Sequence, residues 1–195
     1  MIHISKDNSK IGCPSFSIPS GDKSEGGTCS PNLACHKYCY AKKLERIYSN
    51  VKTNYQENYE ESLKVEFVEY MCNKIKMEYN PRYFRIHVGG DFYNEEYAKK
   101  WCMIASKVKD TIFYGYTKSE FMAKIERPKN LILYWSVDGI VNEFPDGNKK
   151  GFDGVSYTSD EKSNCPNQAN KLIKCGLGCT QCMKPRKKPL IFSRH

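Results

Sequence analysis

The chain has 195 residues, a formal net charge of +9 and a hydrophobic content of 39%. This length fits a single domain, and the lack of an apolar run of about 18 residues excludes a membrane-spanning protein. Ten cysteines make up ~5% of the chain, below the ~8–10% of disulfide scaffolds, and no apolar secretory segment opens the sequence. We therefore expect a cytoplasmic protein with reduced thiols, whose positive charge suits an anionic partner such as nucleic acid.

The chain divides by composition into a core at residues 1–159 and a cysteine-rich extension at 160–195. Within the core, the first 28 residues predict loops around one extended apolar segment at 16–18. A cysteine-rich loop at 29–39 follows and leads directly into a helical region.

Residues 41–79 predict helix, because apolar or aromatic residues recur at every fourth position from 47 onwards. A step of four drifts by about 40° on a helix of 3.6 residues per turn, so one straight helix would not keep this row on one face. We expect two helices with a break near 49–54, where Thr53 and Gln56 form a capping-box pattern.

Segments of alternating or apolar residues then predict strands at 83–88, 111–117, 131–138 and 154–158. Asn94 is expected to cap a helix between the first two strands, and a short helix is expected at 120–126. The connection at 139–151 shows no helix signal. This order predicts an α/β protein with a mostly parallel sheet of about five strands.

Polar residues gather near the carboxyl ends of these strands, where parallel α/β sheets bind their ligands. In the first strand Arg85 and His87 are expected to share one face, opposite Phe84 and Ile86. The polar group is His87, Asp91, Thr117, Ser136, Asp138, Ser156 and Thr158. The alternative is that these side chains only bond one another or solvent.

The first cysteine group is Cys29, Cys35 and Cys39, spaced C-x5-C-x3-C. Such soft thiolates suit zinc or an iron–sulfur cluster. A four-iron cluster (4Fe-4S) on three cysteines would leave one iron open to a ligand. Zinc prefers four protein ligands in a structural site, and Cys13 or His36 could supply the fourth.

The second cysteine group is Cys165, Cys175, Cys179 and Cys182, spaced x9, x3 and x2. Four thiolates fit either tetrahedral zinc or a fully ligated four-iron cluster. The remaining pair, Cys72 and Cys102, falls in helical patterns and predicts ordinary core thiols.

A basic run at 184–189 follows the last cysteine. It predicts either a solvated segment or a contact to nucleic-acid phosphates. One hypothesis is therefore a zinc-stapled nucleic-acid-binding protein of a mobile element without catalysis, and another is an iron–sulfur module that acts on a host protein.

Several motifs together resemble the gene product 88 family of phage and prophage proteins. They are F-S-I-P, T-C-x5-C-x3-C-Y-A, R-I-H-V-G-G-D-F-Y, F-Y-G-Y-T-K-S, N-L-I-L-Y-W-S-V-D and the C-terminal cysteines. More distantly, the layout is similar to radical S-adenosylmethionine enzymes, which carry a three-cysteine loop after the first strand and a Gly-Gly-acidic turn after the second.

This second resemblance implies an enzyme with a partial, reduced TIM-like barrel. It implies an open cluster on Cys29, Cys35 and Cys39, although its usual spacing is x3 and x2, and an auxiliary cluster on the C-terminal group. Gly89, Gly90 and Asp91 would bind the methionine amine of S-adenosylmethionine. Ser136 and Asp138 would bind its ribose or carboxylate, and His87 would face the loop. The loop is then expected over the carboxyl ends of the strands, near Asp91, Ser136 and Asp138.

Overall fold

A computed structural model describes residues 1–31, 33–138, 144 and 146–193. Its strands form one sheet in chain order: β1 (Ile4–Ser5), β2 (Ser15–Phe16), β3 (Tyr83–Ile86), β4 (Ile112–Thr117), β5 (Leu131–Asp138), β6 (Gly154–Ser159) and β7 (Leu190–Ser193). β1 runs antiparallel to β2, and every later neighbour pair is parallel. The predicted α/β class with a mostly parallel sheet is confirmed.

The sheet has seven strands within the described ranges, where the sequence predicts about five. The two missed strands, β1 and β7, have two and four residues and are too short to show a clear alternation. They form the two edges of the sheet, which is not closed into a barrel among the described residues. Residues 139–143 and 145 of the predicted connection at 139–151 lie outside the described residues.

Five α-helices of the described chain are α1 (Tyr40–Ile47), α2 (Ser49–Leu63), α3 (Phe67–Asn73), α4 (Glu95–Lys107) and α5 (Pro166–Ala169). A π-helical turn, Lys74–Tyr79, extends α3. Short 3-10 turns occur at Lys23–Glu25, Ala34–Tyr38, Glu120–Lys124 and Gln181–Met183. As predicted, Asn94 caps α4, since its Oδ1 accepts a hydrogen bond from the Tyr97 amide at 2.8 Å.

The long helical region breaks twice rather than once. The first break falls at Tyr48, just before the predicted position, and the predicted capping pair Thr53 and Gln56 lies inside α2. The second break, after α2, is stabilised from another helix: the buried amine of Lys100 donates to the carbonyls of residues 62–64 at 2.9 to 3.2 Å. A break stabilised by a distant side chain leaves no local sequence signal.

The two faces of the sheet carry different layers. On one side, called the helix face, β2 to β5 pack against α3 and α4 through Phe16, Phe84, Phe113, Leu131, Leu133, Phe67, Met71, Trp101 and Ile104. On the other side, called the cavity face, Tyr114, Ile132 and Tyr134 pack against Cys13, Cys175, Cys182 and Met183. Alternate strand residues thus face opposite layers, as the period of a β-strand requires.

His87 departs from this alternation. Strand β3 ends at Ile86, and His87 has a φ of 58°, in the left-handed region. Its ring therefore turns to the helix face, where Nε2 lies 2.8 Å from the Tyr97 hydroxyl. The prediction that His87 shares a face with Arg85 is wrong, because it assumed that the extended backbone continues to residue 88.

Asn58 joins α2 to the first two strands and generates a prediction on stability. Its buried amide accepts from His3 N at 2.7 Å and donates to His3 O at 2.9 Å and Ser17 O at 2.8 Å. Replacing Asn58 by Ala removes three hydrogen bonds and leaves backbone groups unsatisfied, so we expect a loss of about 2–3 kcal/mol in the free energy of unfolding.

Urea denaturation followed by circular dichroism measures this loss. Gln56→Ala is the matched control on the same helix, because Gln56 is exposed and its side chain donates to the exposed Glu60. We expect the control to stay within about 0.5 kcal/mol of wild type. Equal effects of the two substitutions would contradict the anchoring role of Asn58.

Candidate functional site

A cavity of about 240 Å³ lies on the cavity face, at the carboxyl ends of the parallel strands. It brings together the first cysteine group, two cysteines of the second group and most of the predicted polar residues. Its lining includes Cys29, Cys35, Cys39, Cys175, Cys182, Gly89, Gly90, Asp91, Thr117, Lys118, Ser136, Asp138, Ser156, Thr158 and Arg85. His87, Cys165 and Cys179 do not line it. Concave sites with a few convergent polar groups are the usual form of small-molecule sites.

The three-cysteine loop lies where the sequence predicts it, over the carboxyl ends of the strands. The Cys29 amide donates to the Gly21 carbonyl at 3.0 Å, and the Cys29 thiol lies near the Asp91 carboxylate. The Cys35 thiol interacts with the carboxylate of Asp138. Cys39 caps α1, since its Sγ accepts from the Lys42 amide at 3.5 Å.

The thiols of Cys29 and Cys35 are protonated at neutral pH. Burial raises the pKa of Cys29 and of Cys35 to about 12, and the carboxylates of Asp91 and Asp138 add to the two shifts. All ten cysteines of the chain are free of disulfide bonds. A metal that binds here must displace thiol protons, so its affinity will rise with pH.

Cys13 and His36, the two candidates for a fourth metal ligand beside the three loop cysteines, lie in different parts of the structure. Cys13 is buried in the second cysteine group, beside Cys175 and Tyr114, so it does not close the first site. His36 lies within the loop, with Nδ1 3.8 Å from Asp22 Oδ2. Its Nε2 is buried and has no hydrogen-bond partner among the described residues.

The turn Gly89-Gly90-Asp91 is held against the segment that precedes Cys29. The Gly90 amide donates to Ser20 Oγ at 3.1 Å, and the Asp91 amide donates to Thr28 Oγ1 at 3.1 Å. Gly90 has a φ of 81°, and a Cβ there would approach the Ile18 carbonyl oxygen to 2.7 Å. Only glycine fits this close approach without strain.

The Asp91 carboxylate is largely occupied by protein donors. Its Oδ1 accepts from Thr117 Oγ1 at 2.6 Å and from the Phe92 amide at 2.7 Å, and Oδ2 accepts from the Lys118 amide at 2.8 Å. A carboxylate offers about four lone pairs, so Oδ2 retains the capacity for one further donor. Asp91 thus ties β3 to β4, and its predicted contact to a cofactor amine stays a prediction.

Lys118 and Arg85 line the cavity although the sequence did not predict them as site residues. Lys118 Nζ lies 2.9 Å from Ser136 Oγ and 3.4 Å from Asp138 Oδ1, and it links two strand ends. The position of Lys118 directly after strand β4 could have identified it as a cavity residue, because ligands of parallel sheets bind at the carboxyl ends of the strands. Arg85 stacks over the Tyr116 ring at 4.2 Å and over the Tyr114 ring at 5.3 Å.

Among the described residues, no three or more Cys, His, Asp or Glu side chains stand together in an arrangement that could hold a metal ion. The cysteine groups therefore present neighbouring thiols rather than a finished coordination shell. None of the described helices combines the length and apolar character needed to cross a membrane. The predicted nucleic-acid contact of the basic run at 184–189 stays a prediction.

The occupied carboxylate of Asp91 generates a prediction. In Asp91→Asn, either orientation of the amide turns an NH₂ group towards a backbone N–H, of Phe92 or of Lys118. We expect a loss of about 1–3 kcal/mol in the free energy of unfolding, measured by urea denaturation. Asp110→Asn, at an exposed position, should have almost no effect. A stable Asp91→Asn variant would show that the carboxylate does not hold the two strands.

His87 generates a prediction on pH. Burial lowers its pKa to about 3, and the charge of Arg85 adds to the shift. The unfolded chain protonates this residue near pH 6.5, so neutral His87 costs stability progressively as the pH falls below that value. We expect His87→Asn, which tolerates a left-handed backbone, to lose about 1.4 kcal/mol per pH unit less than wild type between pH 6 and 4.

Urea denaturation at each pH measures the two stability profiles. Above pH 7 the profiles should run parallel, because His87 is neutral in both states there. Parallel profiles down to pH 4 would instead mean that His87 is protonated in the folded protein.

Comparisons with known proteins place the chain beside phage proteins. The sequence model of a family described as "Gene product 88" matches residues 3–190. The chain is 31% identical over 157 residues to the "Gene 88 protein" of Mycobacterium phage D29, an alignment that covers 70% of this chain and 62% of that protein. It is equally similar to the "Gene 88 protein" of Mycobacterium phage L5, with 63% of that protein covered. The chain thus spans less than two thirds of the length of these relatives. No solved structure matches it.

Proposed function

Because the chain belongs to the gene product 88 family, whose matched members carry names that state no activity, we propose its function from the cavity: an iron–sulfur enzyme of the radical S-adenosylmethionine type. Cys29, Cys35 and Cys39 would hold a four-iron cluster with one iron open to the cavity. The seven-stranded open sheet would correspond to a reduced, partial barrel.

One observation carries this proposal. A single cavity at the carboxyl edge of a parallel sheet is lined by three loop thiols, the Gly-Gly-Asp turn and the polar ends of β5 and β6. The donor chemistry fits the cluster, since the three thiols are free and soft. Three thiolates leave one iron of a four-iron cluster without a protein ligand. The cavity offers space for a small molecule that binds this iron.

The chemical groups of S-adenosylmethionine have matching partners in the cavity lining. The remaining lone pair of Asp91 Oδ2 can accept from an amine beside the open iron. Ser136 and Asp138, which lie 2.9 and 3.4 Å from Lys118 Nζ, offer acceptors to hydroxyl groups, and Lys118 offers a cation to a carboxylate. These partners orient a ligand that carries an amine, a carboxylate and a ribose.

The protein also provides an acceptor for a thiol proton. The Cys35 thiol interacts with the Asp138 carboxylate, so Asp138 would accept the Cys35 proton when the thiol binds a metal. Lys118 lies 3.4 Å from that carboxylate and compensates its charge. When bound, the cluster would supply single electrons to its ligand, while the protein positions the ligand.

The first test is metal content. Protein purified without oxygen should be brown and contain iron with acid-labile sulfide, and Cys35→Ser should remove only part of that iron. Cys72→Ser is the matched control, because Cys72 is a buried thiol in α3, away from the cavity. A colourless preparation with stoichiometric zinc would overturn the proposal and favour the zinc-stapled alternative.

The second test is ligand binding. Reduced, iron-loaded protein should bind S-adenosylmethionine in calorimetric titration. Ser136→Ala removes a hydroxyl that faces the cavity beside Lys118, so we expect about tenfold weaker binding, equal to ~1.4 kcal/mol, with unchanged iron content. Absence of binding to iron-loaded protein would leave a cluster protein but refute the enzyme class.

A further inference from the structure

The N-terminal segment and the second cysteine group are joined by backbone hydrogen bonds. The Gly12 amide donates to the Cys175 carbonyl at 2.8 Å, and the Cys175 amide donates to the Lys10 carbonyl at 2.9 Å. The Cys13 side chain consequently lies against residues 175–176: a Cβ placed on Gly176 would be 3.5 Å from Cys13 Sγ. A cysteine from the start of the chain thus joins the C-terminal group.

Of the five thiols in this region, four are buried and one is partly exposed. Cys13, Cys165, Cys175 and Cys182 are 5%, 5%, 9% and 7% exposed. Cys179, by contrast, is partly exposed. Cys175 is the centre of the group, since its charge acts on Cys13 and Cys182 and it is itself affected by Cys165 and, more weakly, by the partly exposed Cys179.

Aromatic hydroxyls and a cation surround the buried thiols. The Tyr114 hydroxyl lies 3.6 Å from Cys13 Sγ, and the Tyr116 hydroxyl interacts with Cys182. Arg85 stacks over both tyrosine rings and lowers the pKa of Cys13, Cys175 and Cys182, against the larger effect of burial. Donors of this kind form the outer shell that orients and stabilises metal-bound thiolates.

Arg85 has no carboxylate partner among the described residues; its Nε donates to the His87 carbonyl at 3.0 Å. A guanidinium stays charged in proteins, and even a partly buried charge, such as that of Arg85, is stabilised by a nearby counter-charge. Four thiolates around a divalent metal carry a net charge of about −2. They would supply the anion that Arg85 lacks.

We propose that Cys13, Cys165, Cys175 and Cys182 form a thiolate metal centre, in which Cys13 takes the place that sequence spacing gives to Cys179. Arg85 is its positioning residue and counter-charge. The metal is a thiophilic one, zinc or iron in a sulfide cluster, and the thiols rotate onto it when it binds. This centre is independent of the loop cluster, although Cys175 and Cys182 line the same cavity.

The test measures zinc, iron and sulfide per chain in a background where Cys29, Cys35 and Cys39 are all Ser. The background should retain its metal, and adding Cys13→Ser should reduce it to about a tenth or less. Adding Cys179→Ser, or Cys72→Ser as the buried-thiol control, should leave it almost unchanged. Zinc without sulfide and iron with sulfide both support the centre and identify its metal.

Three results would overturn the proposal: no metal in the background, retention of metal by Cys13→Ser, or its loss in Cys179→Ser alone. If Cys13→Ser fails to fold, alkylation of the unmutated chain replaces it. Cys13 should react faster after a chelator and reductant remove the metal, while Cys72 should not. An unchanged rate for Cys13 would exclude it as a ligand.

The role of Arg85 has its own readout. Arg85→Met should lose metal to a competing chelator about tenfold more readily, because the thiolates lose their counter-charge. Arg85→Lys should restore most of the retention, since it keeps the charge. Equal retention in Arg85→Met and the unmutated chain would show that Arg85 does not support the centre.

Discussion

The cavity depends on one buried carboxylate, that of Asp91. Its two oxygens accept from the end of β4, at Thr117 and Lys118, while its own amide donates to Thr28 just before the cysteine loop. These hydrogen bonds therefore fix the distances between the ends of β3 and β4 and the start of the cysteine loop. Because the Lys118 backbone is held in this way, its side chain can reach Ser136 and complete the cavity edge.

The helix face provides the packing that allows the other face to stay polar. Trp101 lies at its centre, with its ring 5.5 Å from that of Phe16, 6.0 Å from Phe67 and 6.2 Å from Phe113. Such edge-on aromatic contacts add to the free energy of burial. In a chain with 39% hydrophobic residues, concentrating large side chains on one face leaves alternate strand positions available for a cavity.

Sequence reasoning succeeded where the signal is local or follows a general rule. The Asn94 cap, the parallel strands and the cysteine loop over their carboxyl ends belong to this class. It failed at His87, because nothing nearby marks a left-handed φ in a histidine. It also offered Cys13 as a fourth ligand of the first cysteine group, because only the backbone pairing of Ile11 with Cys175, far along the chain, places Cys13 in the second group.

The pairing of Ile11 with Cys175 joins positions about 160 residues apart, and it orders the events of synthesis. While a ribosome makes the chain, the helix face has all its strands and helices by the time β5 emerges. The cavity face, with Tyr114 and Tyr134, stays uncovered until the segment with Cys175, Cys182 and Met183 has been synthesised. Contacts of such long sequence separation form slowly. Until this pairing forms, the aromatic side chains of the cavity face stay exposed, and such transiently exposed apolar surface is prone to aggregation.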